Sequence, residues 1–117
     1  MNLENTMPDV SPYRLVYVTA ANQEEAAHIA RTLVENRLAA CANVLGTIAS
    51  YYWWKGDVVE DSEVSLLLKT RVDRVEALVE KVKANHSYEC PCVITLPIQE
   101  GSADYLRWLD AQLDAAG

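Results

Sequence analysis

The sequence predicts an α+β fold in which two strand–helix–strand halves are joined by one long hairpin. Three observations carry this. The stretch YRLVYVTA (13–20) is nearly all apolar and rich in β-branched and aromatic residues, the composition of a strand covered on both faces. Apolar residues recur at three- and four-residue spacing in two separate stretches, Ala26 to Leu38 and Val72 to Val82. Between them, SYYWWKGDVVEDSEVSLLLKT (50–70) turns back at Lys55-Gly56-Asp57 and then alternates with a period of two.

Each element has its own local reason. Asn22, with Glu25 three residues on, is a capping-box pattern that opens the first helix. Ala26, Ile29, Ala30, Leu33 and Leu38 form its buried stripe, and Arg37 near its end suits the negative pole of the helix dipole. A second strand starts near Ala39 and runs through Cys41, Asn43 and Leu45. Gly46 interrupts it at a bend or bulge, and it resumes from Ile48 to Trp54. On the returning arm Val64, Leu66 and Leu68 share one face, while Glu63, Ser65, Leu67 and Lys69 share the other. Thr70 is read as the N-cap of the second helix, with Asp73 at its third position and Lys81 and Lys83 in its last turn. Cys92 to Leu96 is a short buried strand closed by Pro97. Gly101 and Ser102 open a final helix with Tyr105, Leu106, Trp108, Leu109 and Leu113 on its apolar side. The first six elements make the split, ferredoxin-like βαβ arrangement. Right-handed crossovers place both of its helices on one face of a four-stranded antiparallel sheet.

Composition narrows the function classes. The 117 residues suffice for one domain, half are hydrophobic, and seventeen acidic against ten basic side chains give a net charge of −7. A binder of phosphate backbones carries the opposite sign, so nucleic acid is not an expected partner. Residues 1–11 hold no apolar core and are read as a short disordered tail ahead of a domain spanning 12–117. No apolar run approaches the length of a membrane span, so membrane insertion is not expected. Three cysteines, Cys41, Cys90 and Cys92, make no disulfide framework and point to a reducing cytoplasm.

The hairpin is too long for its chain. An arm such as 40–54 reaches on the order of 45 Å if straight, against a radius of gyration of about 13 Å for a compact chain of this size. Its tip gathers Tyr51, Tyr52, Trp53 and Trp54, and alternation sends these aromatics to both faces. One subunit covers only one face, so the reading is an obligate homo-oligomer with these four residues in its contact.

Two groups of residues carry candidate chemistry. His86, Cys90 and Cys92 are metal-ligand types that suit Cu(I) or Zn(II), or else the thiols pack as small apolar side chains. Cys41 is read as core, joining that group only if its strand neighbours Cys92. Lys69, Glu63, His86, Tyr88 and Glu89 are placed at a cleft between subunits, either as a small-anion site or as a structural hydrogen-bonding set. Trp54, Tyr105 and Trp108 add apolar walls with polar tips. The carboxylates of Glu60, Asp61 and Glu63 are read as solvated. No serine has a visible His/Asp arrangement, and phosphate-cradling glycine loops are absent from the sequence, so no enzyme is expected.

RLAACANV (37–44), SYYWWKG (50–56), DSEVSLLLKT (61–70), HSYECPCVITLP (86–97) and DYLRWL (104–109) together resemble the CutA divalent-cation-tolerance family. The resemblance runs from Arg14 to Leu113. It implies a ferredoxin-like subunit, a tight homotrimer with inter-subunit sheets, and architectural kinship with PII signalling proteins. It also implies a cytoplasmic role in tolerance to divalent metals such as copper, with no required cofactor. The runner-up is a PII-like sensor that takes a small anion or metabolite in the inter-subunit cleft. The chain departs from the family where Ser87 replaces a common Pro, Cys92 a common Glu, and Cys90 an apolar residue. Where some bacterial members have a cysteine and paired histidines linked to metal, this chain has Val18, Asn85 and His86.

Overall fold

The central strand β1 (Tyr13–Ala20) alternates buried and partly covered residues, and this alternation organises the computed structural model, which describes residues 11–115. The tail predicted over 1–11 falls almost wholly outside the described residues. In chain order follow α1 (Gln23–Glu35), β2 (Cys41–Trp54), β3 (Asp57–Arg71), α2 (Val72–Ala84), β4 (Val93–Pro97) and α3 (Ala103–Asp114). The sheet order is β2-β3-β1-β4 with every pairing antiparallel, the split βαβ topology that the element order predicts. None of the described helices is long and apolar enough to cross a membrane.

Register puts the core on one side of the sheet. Val16, Val18 and Ala20 lie opposite Leu68, Leu66 and Val64. These six pack against Ala26, Ile29 and Leu33 of α1 and Leu78 and Val82 of α2. Each large side chain buried there contributes about 1.5–3 kcal/mol relative to exposure. A one-residue slip of β1 on β3 would turn Val16, Val18 and Ala20 to the opposite face.

Asn22 caps α1 as the sequence predicts, its Oδ1 accepting from the Glu25 amide at 2.8 Å. The helix stops at Glu35, earlier than its apolar stripe implies, because Arg37 adopts a left-handed φ of 58°. The Arg37 guanidinium therefore does not serve its own helix. It donates to the Gln112 carbonyl at 3.0 Å, near the C-terminal end of α3, where free carbonyls favour a cation.

Thr70 is not the cap of α2. Strand β3 continues through Arg71, and the buried Thr70 hydroxyl donates to the Leu38 carbonyl at 2.7 Å. A carbonyl stranded just beyond α1 needs a donor more than α2 needs a cap. Arg71 takes the cap position without a side-chain capping bond.

The hairpin projects. Its arms span 14 and 15 residues, and they turn at Lys55 and Gly56, both with positive φ. The Cα radius of gyration is 15.9 Å, above the compact value of about 13 Å. At the tip Tyr51 and Trp53 remain 67% and 73% exposed, so the aromatics do not fold back onto their own helices. Gly46 carries the predicted bulge at φ 128°, and the register shifts between Val44 and Gly46. That shift decides which aromatics face the sheet. Without it Tyr51 and Trp53 would share the face of Glu63; with it Tyr52 and Trp54 do.

Helix α3 is narrower in its apolar face than predicted. Leu109 and Leu113 are buried with Ala40 and against Tyr13, but Tyr105 and Trp108 are exposed. Polar contacts do much of the fastening. Arg71 reaches Asp73 at 2.9 Å, Asp110 at 3.1 Å and Asp114 at 2.7 Å. The Tyr13 hydroxyl donates to Asp110 at 2.7 Å, and Arg74 donates to the Leu113 carbonyl at 2.8 Å. Hydrogen bonds from Arg71 hold the Asp73 and Asp114 carboxyls below the usual carboxylate range. A depressed folded-state pKa gives stability that is complete above the unfolded value of about 3.9 and is lost as pH falls through the folded value. The thermal midpoint of the wild type is therefore expected to drop on acidification below about pH 4. Arg71→Met should start lower and converge on the wild type as the pH falls. A constant gap between the two proteins across that window would contradict the assignment.

Candidate functional site

The side of the sheet away from α1 and α2 carries the candidate site. Strand alternation assigns to it Leu15, Tyr17 and Thr19 of β1 and Glu63, Ser65, Leu67 and Lys69 of β3. Asn43, Ile48, Ser50, Tyr52 and Trp54 of β2 and Ile94 and Leu96 of β4 complete it. Among the described helices only α3 reaches this face, at the corner beside Tyr13 and Lys69.

A cleft of about 710 Å³ opens where the hairpin curls toward segment 88–92. Its floor is Tyr17, Thr19, Ile48 and Glu63; Tyr52 and Trp54 wall one side, and Tyr88, Glu89, Cys90 and Cys92 wall the other. The segment is held from beneath. The His86 ring is fully buried, with Nε2 2.7 Å from the Thr19 carbonyl. The Tyr88 amide donates to Nδ1 at 3.1 Å, which assigns the ring proton to Nε2. Glu25 accepts from the Ala21 amide at 2.8 Å and the Ser87 amide at 2.7 Å. Burial alone would raise the Glu25 pKa. The hydrogen bonds from Ala21 and Ser87, with the nearby His86, outweigh it and leave the carboxyl lowered. The predicted capping residue thus has a second duty: it ties the start of α1 to the cleft wall.

Glu63 is not solvated. It is 7% exposed, whereas Glu60 and Asp61 stay exposed, Asp61 accepting from the Tyr52 hydroxyl at 3.0 Å. Alternation turns Glu63 into the cleft, where Tyr88 lies over it. The Tyr88 phenol is pushed up to about 12, by burial first and then by the negative charge of Glu63 and Asp61 and a hydrogen bond to Glu63. Burial and then Glu63 also push the Cys92 thiol up, against an opposing hydrogen bond with Thr19.

The structure divides the predicted cleft residues into two groups. Trp54, Glu63, Tyr88 and Glu89 meet in the cleft, together with Cys90 and Cys92. Lys69 lies elsewhere, its Nζ 2.8 Å from Asn43 Oδ1, 4.0 Å from Cys41 Sγ and 5.8 Å from the centre of the Tyr105 ring. Trp108 stacks at 5.4 Å on Tyr105 and belongs to this second group. Cys41 is half-buried rather than core, and β2 and β4 are opposite edges of the sheet, so it does not join Cys92. His86 shares a segment with Cys90 and Cys92 but spends both ring nitrogens inside the fold. Among the described residues no three His, Cys, Asp or Glu side chains are grouped as a metal ion would require. The cleft residues absent from the sequence reading are Tyr17, Thr19, Ile48 and Ser50. The first two follow from alternation opposite Val16 and Val18, and the other two from carrying the Gly46 bulge through β2.

The family model for the CutA1 divalent ion tolerance protein matches residues 14–112. The chloroplastic protein CutA 1 of Oryza sativa subsp. japonica is 46% identical over 107 residues, covering 92% of this chain and 60% of the relative. The CutA homolog of Xenopus laevis is 52% identical over 93 residues, covering 80% of this chain and 62% of the relative. The chain thus spans about three fifths of the length of these two relatives. A solved structure from Archaeoglobus fulgidus, described as a periplasmic divalent cation tolerance protein CutA, superposes with a TM-score of 0.85 at 37% identity. That superposition covers 87% of this chain and 99% of the other.

Removing the charge under Tyr88 tests the cleft electrostatics. Glu63→Gln is expected to move the highest tyrosine transition in an ultraviolet pH titration downward, and Tyr88→Phe to delete it. If Glu63→Gln leaves the titration unchanged, the coupling is wrong.

Proposed function

Because the chain belongs to the CutA1 divalent ion tolerance family, we propose that it acts as a cytoplasmic homotrimer in tolerance of divalent metal ions, copper among them, by binding rather than by catalysis. The observation that carries the assembly is the uncovered apolar sheet face. Ile94 and Leu96 are 54% and 48% exposed on it, and it runs into an equally exposed hairpin tip. A patch of this breadth on a lone chain is an association surface. A projecting ribbon that meets a different surface on the next copy makes a heterologous contact, and such contacts form a ring when the rotation between copies closes.

The cleft chemistry favours a cation over an anion. Its lining includes Glu63 and Glu89 and no Lys or Arg. The lysine that suits the PII-like alternative, Lys69, sits in the other group and already donates to Asn43. The described residues of one chain do not supply the four ligands of a closed zinc-type site, so a divalent ion held here draws on water or on a neighbouring copy.

Sedimentation velocity is expected to show a trimer, and Trp53→Asp to shift it toward smaller species. A folded monomer whose tryptophans are open to an aqueous quencher would overturn the assembly. Cells lacking their own protein of this family should regain growth in copper with the wild-type chain, and equal growth without it would overturn the tolerance role. Stabilisation in a thermal-shift screen by nucleotides or small carboxylates, and not by metals, would favour the sensor.

A further inference from the structure

Cys90 and Cys92 are left without a role by the fold. Both are free, both are exposed, and both line the same cleft. Their spacing is i, i+2 with Pro91 between. An extended chain places such a pair on one side, about 6.6 Å apart at Cα. Pro91 fixes its own φ and limits how far the two residues can swing apart, and both come to the wall of one cleft. The segment is anchored at its start by His86 on the Thr19 carbonyl and by Ser87 on Glu25, and at its end by β4.

We propose that Cys90 and Cys92 form a two-thiolate site for a soft monovalent metal ion, Cu(I) or its surrogate Ag(I), on the wall of this cleft. Thiolates suit soft ions, Zn(II) as well as Cu(I), but Zn(II) asks for four ligands whereas Cu(I) accepts two in a near-linear arrangement. Cu(I) needs neither a third protein ligand nor His86, whose nitrogens are both engaged. Binding is then an exchange: two thiols and Cu(I) give the bis-thiolate Cu(I) complex and two protons, with no change of oxidation state. Affinity rises with pH as a consequence. The site deepens the metal-tolerance reading by naming the ion and its ligands, but it needs neither the trimer nor a partner residue.

The test is anaerobic competition of the reduced full chain against a chromogenic Cu(I) chelator. One ion per chain is expected, with an ultraviolet thiolate-to-metal band and proton release. Cys90→Ser and Cys92→Ser should each weaken binding about 100-fold or more, the upper end of what outer-shell changes alone cost. Cys41→Ser should bind as the wild type does. Undiminished binding in the Cys90→Ser/Cys92→Ser double variant, or loss in Cys41→Ser, would overturn the site. Both thiols are exposed, so neither substitution threatens the fold, and circular dichroism checks this. If the double variant loses Cu(I) yet restores copper tolerance in cells as fully as the wild type, the site stands and its part in tolerance falls.

Discussion

Helices α1 and α2 cover one side of the sheet and nothing within the described chain covers most of the other; the rest of the structure depends on this asymmetry. The two helices satisfy only alternate residues of β1 and β3, because side chains of a strand point in opposite directions. Val16, Val18 and Ala20 thereby acquire Leu66, Leu68 and the helices, while Tyr17 and Thr19 are left facing outward. Register fixes which set is which, and the bulge at Gly46 carries the choice into the hairpin. A residue with a side chain at φ 128° would be strained whatever space surrounds it. Through that one backbone conformation Tyr52 and Trp54, rather than Tyr51 and Trp53, come to share the sheet face of Glu63.

The cleft is built by connecting the far ends of the topology. Segment 86–92 is an irregular stretch before an edge strand, and such backbone stays in place only if its polar groups find partners. Glu25, in the first turn of α1, supplies one acceptor, and the Thr19 carbonyl at the end of β1 supplies another through His86. Tyr88 is thereby laid over Glu63, and a carboxylate on an alternating strand becomes a buried charge with a phenol against it. Burial and then that charge push the Tyr88 phenol and the Cys92 thiol up, so both hold their protons more tightly beside it.

Much of this was legible in the sequence. Period-two alternation located β3 and told its faces apart, Asn22 and Ser102 marked helix starts, and Gly46 marked the bulge, because each is a local signal with a local cause. The readings that failed depend on distant partners. Thr70 looks like a cap until Leu38 presents an unpaired carbonyl, and Arg37 looks like the end of its own helix until α3 arrives beside it. Tyr105 and Trp108 look buried because α3 is apolar there, yet α3 has a single corner to pack on. Within one chain Lys69 stands apart from Glu63 and Tyr88 for a simpler reason. They share a strand face, but six residues separate Glu63 from Lys69, roughly 20 Å along β3.

That separation gives the open face two unlike ends. Near β4 and the hairpin it is acidic, aromatic and rich in thiols; near α3 it offers the Lys69 ammonium, the Asn43 amide and the Tyr105 ring. A two-fold axis brings a patch onto its own copy, so the charge at the centre of such a contact meets its like. A head-to-tail arrangement brings one end onto the other, and opposite charges face each other instead. The hairpin makes the same demand, since a ribbon that reaches beyond its own sheet needs a different surface to lie on. Both features favour the proposed ring of copies over a two-fold pair.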